Sequence, residues 1–103
     1  MLRLVERVLG EGDLRRDGRT LLRAGYELSH YQHWENVGGV LTPGHYEVEG
    51  HLIAPAERLE AALGTAAPCT LHLDDGRRFD LYVLNPDGAI TPADQRGLYR
   101  AGD

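Results

Sequence analysis

The sequence contains no lysine, a single cysteine and a single serine. Each shortage removes a chemistry. Without lysine there is no Schiff base, and Cys69 alone makes neither an internal disulfide nor a thiolate zinc cluster. Ser29 and Cys69 are the remaining nucleophiles of that kind, and neither has a base beside it. On a strand, Ser29 and His30 point to opposite faces, and so do Cys69 and His72, which lie an odd number of residues apart. Apolar runs are short as well. None approaches the roughly 20 residues of a spanning helix, and the N-terminal MLRLVERVLGEG carries charge where a signal peptide would be apolar. The expectation is a cytoplasmic chain with no membrane partner. No phosphate-cradling glycine loop is present, because Gly10 and Gly12 lack a third glycine and a following helix. The reading is of a protein that is not an enzyme and calls for no cofactor.

What is present fits one domain. The 103 residues are 42% hydrophobic and 26% charged, enough for one core spanning residues 1–103 and too few for two. The net charge of -5 works against generic attraction to nucleic acid, whose binders neutralise phosphates with a basic patch.

The apolar residues recur with period two, and turn signals separate the runs, so the chain reads as all-β with one short helix. A first strand over 5–14 is followed by the turn Arg16-Asp17-Gly18-Arg19 and a long second strand over 21–34. A two-residue loop sets Leu14 opposite Leu21, whereas a three-residue loop sets Arg15 opposite Arg19. A loop over 36–44, with NVGG and TPG, leads to a third strand over 45–53, in which Tyr46, Val48, Gly50 and Leu52 share the core face. Pro55 opens the helix PAERLEAAL. Leu59, Ala62 and Leu63 make a narrow apolar stripe, so docking and not propensity is expected to hold it.

The hairpin CTLHLDDGRRFDLYVL is the best specified. Cys69, Leu71 and Leu73 must share a face with Phe79, Leu81 and Val83. A two-residue turn would bury Asp80 opposite Leu71, so a three-residue loop, Asp74-Asp75-Gly76, is predicted, pairing Leu71 with Phe79 and Cys69 with Leu81. Asn85-Pro86-Asp87-Gly88 reads as a type I turn before a short strand over 89–91. The polar tail over 92–103 is expected to fray. The element order β-β-β-α-β-β is that of a small antiparallel five- to six-stranded barrel of the OB type.

Three surfaces follow. An acidic outer stripe of Glu27, Glu47, Glu49 and His51 points to protein–protein contact or homo-oligomerisation, which is the leading expectation. Arg15, Arg16 and Arg19 at the first turn, with Arg77 and Arg78 at the fourth-to-fifth strand turn, mark the loops that flank an OB-type oligonucleotide face. Nucleic acid is therefore the alternative partner. The third surface is a metal site. In SHYQHWEN, His30 and His33 lie an odd number of residues apart and cannot chelate together on a strand. A register that sets Tyr26 opposite Leu52 and His30 opposite Val48 brings His33 opposite His45, with Glu35 or Glu47 as an oxygen ligand. His30 then faces inward and should have a hydrogen-bond partner. Arg15 and Arg19 also have the spacing that begins the cyclic-dinucleotide signature of PilZ domains. The second half of that signature is missing, since Asn36 is followed by Val37 and Gly38, and the one serine is Ser29.

Overall fold

The period-two alternation becomes seven strands in the computed structural model, which describes residues 1–102. They are β1 (Leu2–Arg16), β2 (Arg19–Val37), β3 (Val40–Ile53), β4 (Gly64–His72), β5 (Arg77–Val83), β6 (Ile90–Pro92) and β7 (Tyr99–Arg100). Between β3 and β4 lie a one-turn helix, α1 (Ala56–Leu59), and a 3-10 turn, Glu60–Ala62. The named strands all pair antiparallel, in the order β3-β2-β1-β4-β5-β6, with β7 on the β5 strand. The sheet is not closed into the expected five- or six-stranded barrel. Its two ends do approach one another: His51 bridges Ala89, the Leu52 amide donates to the Gly88 carbonyl at 2.9 Å, and the Tyr46 amide donates to Gln95 O at 3.2 Å.

The concave face collects the core. Leu14, Leu22, Ala24, Tyr26, Leu28, Val48, Leu52, Cys69, Leu71, Phe79, Leu81 and Val83 are buried there, with Leu59 and Ala62 plugging one end. Burial of Leu59 is worth roughly 1.5–3 kcal/mol, which exceeds anything a single helical turn supplies by itself. Docking therefore holds α1, as its sequence implied. Pro55 is the residue before the first helical position, with extended ψ 137, and its side chain makes no capping bond.

Three registers follow parity. Leu71 pairs with Phe79 and Cys69 with Leu81. Tyr26 lies opposite Leu52, and His30 opposite Val48. The Asn85 carbonyl accepts from the Gly88 amide at 3.2 Å, closing the expected turn. The first hairpin takes the two-residue loop but not the expected Leu14–Leu21 pair, and Arg15 lies opposite Thr20, not Arg19. A two-residue Asp17-Gly18 turn pairs Arg16 with Arg19, and a bulge then sets Leu14 opposite Leu22, with Leu21 as the extra residue.

The loop expected over 36–44 is absent. β2 and β3 run on to a two-residue turn at Gly38 and Gly39, both with positive φ (59 and 85), the conformation a tight hairpin demands. Asn36 helps, its side-chain oxygen accepting from the Gly39 amide at 2.9 Å. Pro43 is tolerated because β3 is the last strand of the sheet's order on that side, and because a bulge at His33 adjoins its pairing with Trp34. Of the four residues expected on the core face of β3, Val48 and Leu52 are buried, whereas Tyr46 is exposed. The tail over 92–103, expected to fray, folds back through 102: Tyr99 pairs with Arg78 and Arg100 with Arg77, while Leu98 packs on the core. Its final residue, Asp103, lies outside the described residues.

Candidate functional site

Antiparallel pairing of β1 with β4 sets Asp13 opposite His72 and Arg15 opposite Thr70. β5 then sets Arg78 opposite His72 and Asp80 opposite Thr70, and β7 sets Tyr99 beside Arg78. All these side chains alternate with core residues, so they share the outer face. Together with Arg16, Asp17, Gly18 and Pro68, the residues Arg15, Thr70, His72, Arg78 and Tyr99 line an open pocket of about 460 Å³. Its carboxylate neighbour Asp80 is saturated. Thr70 Oγ1 donates to Asp80 Oδ1 at 2.8 Å, the Tyr99 hydroxyl at 2.7 Å, and Arg96 pairs with Oδ2. Burial, then Arg78 and Arg15, push the pKa of His72 down, only partly offset by Asp13 and Asp80. Of the five arginines singled out in the sequence, Arg15, Arg16 and Arg78 meet here. Arg19 is exposed at the turn and does not line the pocket.

Arg77 belongs elsewhere. Its guanidinium is held by Asp75 (2.7 Å) and by Glu6, and both bonds raise its pKa. The first and fourth-to-fifth strand turns also sit toward opposite ends of the β1–β4 ladder, because the strands are antiparallel. The turns themselves therefore lie apart, although Arg15 and Arg16 beside the first and Arg78 beside the other line one pocket. The acidic pair in the second turn is structural. Asp75 binds Arg77, while Asp74 Oδ1 accepts from the buried Tyr26 hydroxyl at 3.0 Å and its amide donates to that oxygen at 3.2 Å.

The acidic stripe does assemble. Glu27 faces His51 across β2 and β3 (3.4 Å), Glu49 pairs with Ser29, and Glu47 with Tyr31. His33 and His45 also meet, with ring centroids 4.1 Å apart and nearly stacked. Glu47 stands 3.7 Å from His33 Nε2, but Glu35 pairs with Thr42 farther along the hairpin. Among the described residues no group of three His, Cys, Asp or Glu side chains is placed to hold a metal ion. No described helix is long and apolar enough to cross a membrane.

A further surface was not legible in the sequence. β1 pairs with β4 only at residues 13–15, so its edge over residues 2–11 has no strand partner among the described residues. Residues 2–5, LRLV, are exposed at every position, hence on both faces, and so are residues 35–43 of the adjoining hairpin end. Leu2, Leu4, Val5, Val37, Val40 and Leu41 are all large apolar residues left in solvent on this arm. The first strand was expected over 5–14; it begins at Leu2, and a bulge between Leu4 and Glu6 separates this exposed segment from the buried Val8.

Comparison with protein-family models, with curated proteins and with solved structures found no match to this chain.

Proposed function

We propose that this chain is a non-enzymatic interaction domain that self-associates through its arm, the partner being a second copy. The observation that carries the reading is the edge of β1 over residues 2–11, without a strand partner among the described residues, joined to a two-faced exposed apolar segment. An exposed strand edge offers unpaired main-chain groups to another strand, and this one carries neither proline nor lysine. An identical edge satisfies it in a two-fold antiparallel pair, in which the same patch serves both subunits. Charge permits self-approach: the segment carries Arg3 and Arg7 against Glu6 and Glu11, so it is locally neutral in a chain of net charge -5. The stripe of Glu27, Glu47, Glu49 and His51 lies on the outer face of the adjoining strands and would form the polar rim of the contact.

Within this reading the fold is a variant of the OB type. Support comes from the β1-β2-β3 meander, the helix between β3 and β4, the placement of β4 beside β1, and the approach of the two sheet ends at His51 and Ala89. β6 and β7 are the additional strands. Light scattering over a concentration series tests the self-association. A dimer mass is expected for the native chain, and a monomer for Leu4→Glu and Val5→Glu with unchanged circular dichroism. A strictly monomeric native chain at high concentration would sink the proposal.

A further inference from the structure

We propose that the pocket beside the first turn binds a phosphate-bearing ligand of nucleotide size, held by Arg15 and Arg78 on either side of His72. Two observations converge on it. First, neither arginine is neutralised. Arg23 is paired with Asp13, Arg77 with Asp75 and Glu6, and Arg96 with Asp94 and Asp80, whereas Arg15 and Arg78 have no carboxylate within ion-pair range among the described residues. Arg15 spends one N–H on the Gly18 carbonyl at 2.7 Å and keeps its other donors. Second, the carboxylate that would cancel them is consumed. Both oxygens of Asp80 are taken by Thr70, Tyr99 and Arg96, which leaves Asp17 as the carboxylate lining the pocket against Arg15, Arg16 and Arg78.

Like charges gathered without a counter-ion raise the energy of the empty pocket, and an oxyanion lowers it. Guanidinium forks suit phosphate, because two parallel N–H groups match two of its oxygens. At about 460 Å³ the cavity exceeds what one phosphate fills and falls in the range of small-ligand pockets. The Tyr99 ring at its wall already carries Arg96 stacked at 4.0 Å, a platform on which a base or sugar can lie. The ligand is therefore a free nucleotide or one unit of a strand, the phosphate chemistry being common to both. The site is distinct from the arm and does not depend on self-association.

Calorimetric titration of the intact chain at low ionic strength tests this with three probes: inorganic phosphate, adenosine monophosphate and a short oligothymidylate. Arg15→Ala and Arg78→Ala are each expected to weaken nucleotide or oligothymidylate binding roughly ten-fold or more, the scale of a lost charged hydrogen bond. Arg58→Ala, on the exposed face of α1, removes the same charge and is expected to leave binding within about two-fold, since a distant exposed charge is screened. Circular dichroism melts establish that each variant folds. Saturable binding of the mononucleotide identifies a free ligand, and binding of the oligomer alone identifies a strand; either supports the site. The proposal is overturned if no probe binds, if Arg58→Ala weakens binding as much as Arg78→Ala, or if inorganic phosphate binds as tightly as the larger probes.

Discussion

His30 is a buried imidazole, 6% exposed, and neither ring nitrogen makes a hydrogen bond. Parity in the sequence placed it inward, and a buried polar ring was expected to have a partner. Instead the nearest carboxylate, Glu6, stands 3.9 Å from Nδ1, too far for a bond, because Glu6 is engaged by Arg77. The ring packs against Tyr46 at 5.0 Å. Burial pushes its pKa down, Glu6 offsets part of this, and Arg77 adds to it. The sign follows. The unfolded chain takes up a proton near pH ~6.5 while the folded ring resists it, so stability held above that pH is lost as the pH falls toward the lowered folded value. His30→Leu is expected to reduce the loss of stability between about pH 7.5 and pH 5.5 in urea unfolding. His72, shifted in the same direction, retains its share, so the slope should shrink and not vanish. An unchanged slope would remove His30 from this role. Asp74 supplies the opposite case, an exposed carboxylate that satisfies the buried Tyr26 hydroxyl. It alone bonds the Tyr26 hydroxyl among the described residues, so Asp74→Ala is expected to cost about 1–3 kcal/mol, against a near-neutral result if water replaces the carboxylate.

At the scale of elements, legibility depended on how many constraints met at each turn. In the β4–β5 hairpin two apolar sets had to share a face, and one loop length achieved that, so the register was readable without a structure. In the β2–β3 hairpin the same reasoning placed Tyr26 and His30 opposite their partners but misjudged the turn. Thr42, Pro43 and Gly44 carry the composition of a loop, whereas their position on the sheet's last-ordered strand, beside the bulge at His33, lets them continue as strand. The bulges themselves, at residues 4–6, at Leu21 and at His33, left no sequence signal, since each is settled by pairing with a distant segment. The same is true of the pocket. Arg78 opposite His72 could be read from parity, but Tyr99 reaches it through a two-residue strand that no periodicity marks. The hairpin turn gives a direct check. Gly38→Val is expected to destabilise by roughly 1–3 kcal/mol, because a β-branched residue cannot take positive φ without strain. Gly38→Asn should be nearly neutral, since Asn-Gly suits the same turn. Equal costs for the two, measured by urea unfolding, would mean that the turn is not of this type.

As a whole the molecule is drawn out, 50 × 27 × 26 Å, with a radius of gyration of 14.4 Å where about 13 Å is usual for a compact chain of this length. The excess is the arm: the core gathers around Leu14, Leu71 and Leu81, while the far ends of β1, β2 and β3 leave it and bury little. Local stability must follow this gradient, because segments with few buried contacts open without global unfolding. Amide hydrogen exchange in dilute protein is therefore expected to be fast over residues 2–5 and 34–42 and slowest at Leu71 and Leu81, whose amides exchange only through global opening. Raising the protein concentration adds a second effect if the arm pairs with its copy. Association stabilises only what it covers, so exchange over residues 2–5 should slow with concentration while that of Leu71 and Leu81 stays constant. Leu4→Glu should abolish the concentration dependence and leave the core rates alone. Exchange over residues 2–5 that is fast at every concentration would separate the two ideas: the arm would be the loose end of the sheet, and it would not be an interface.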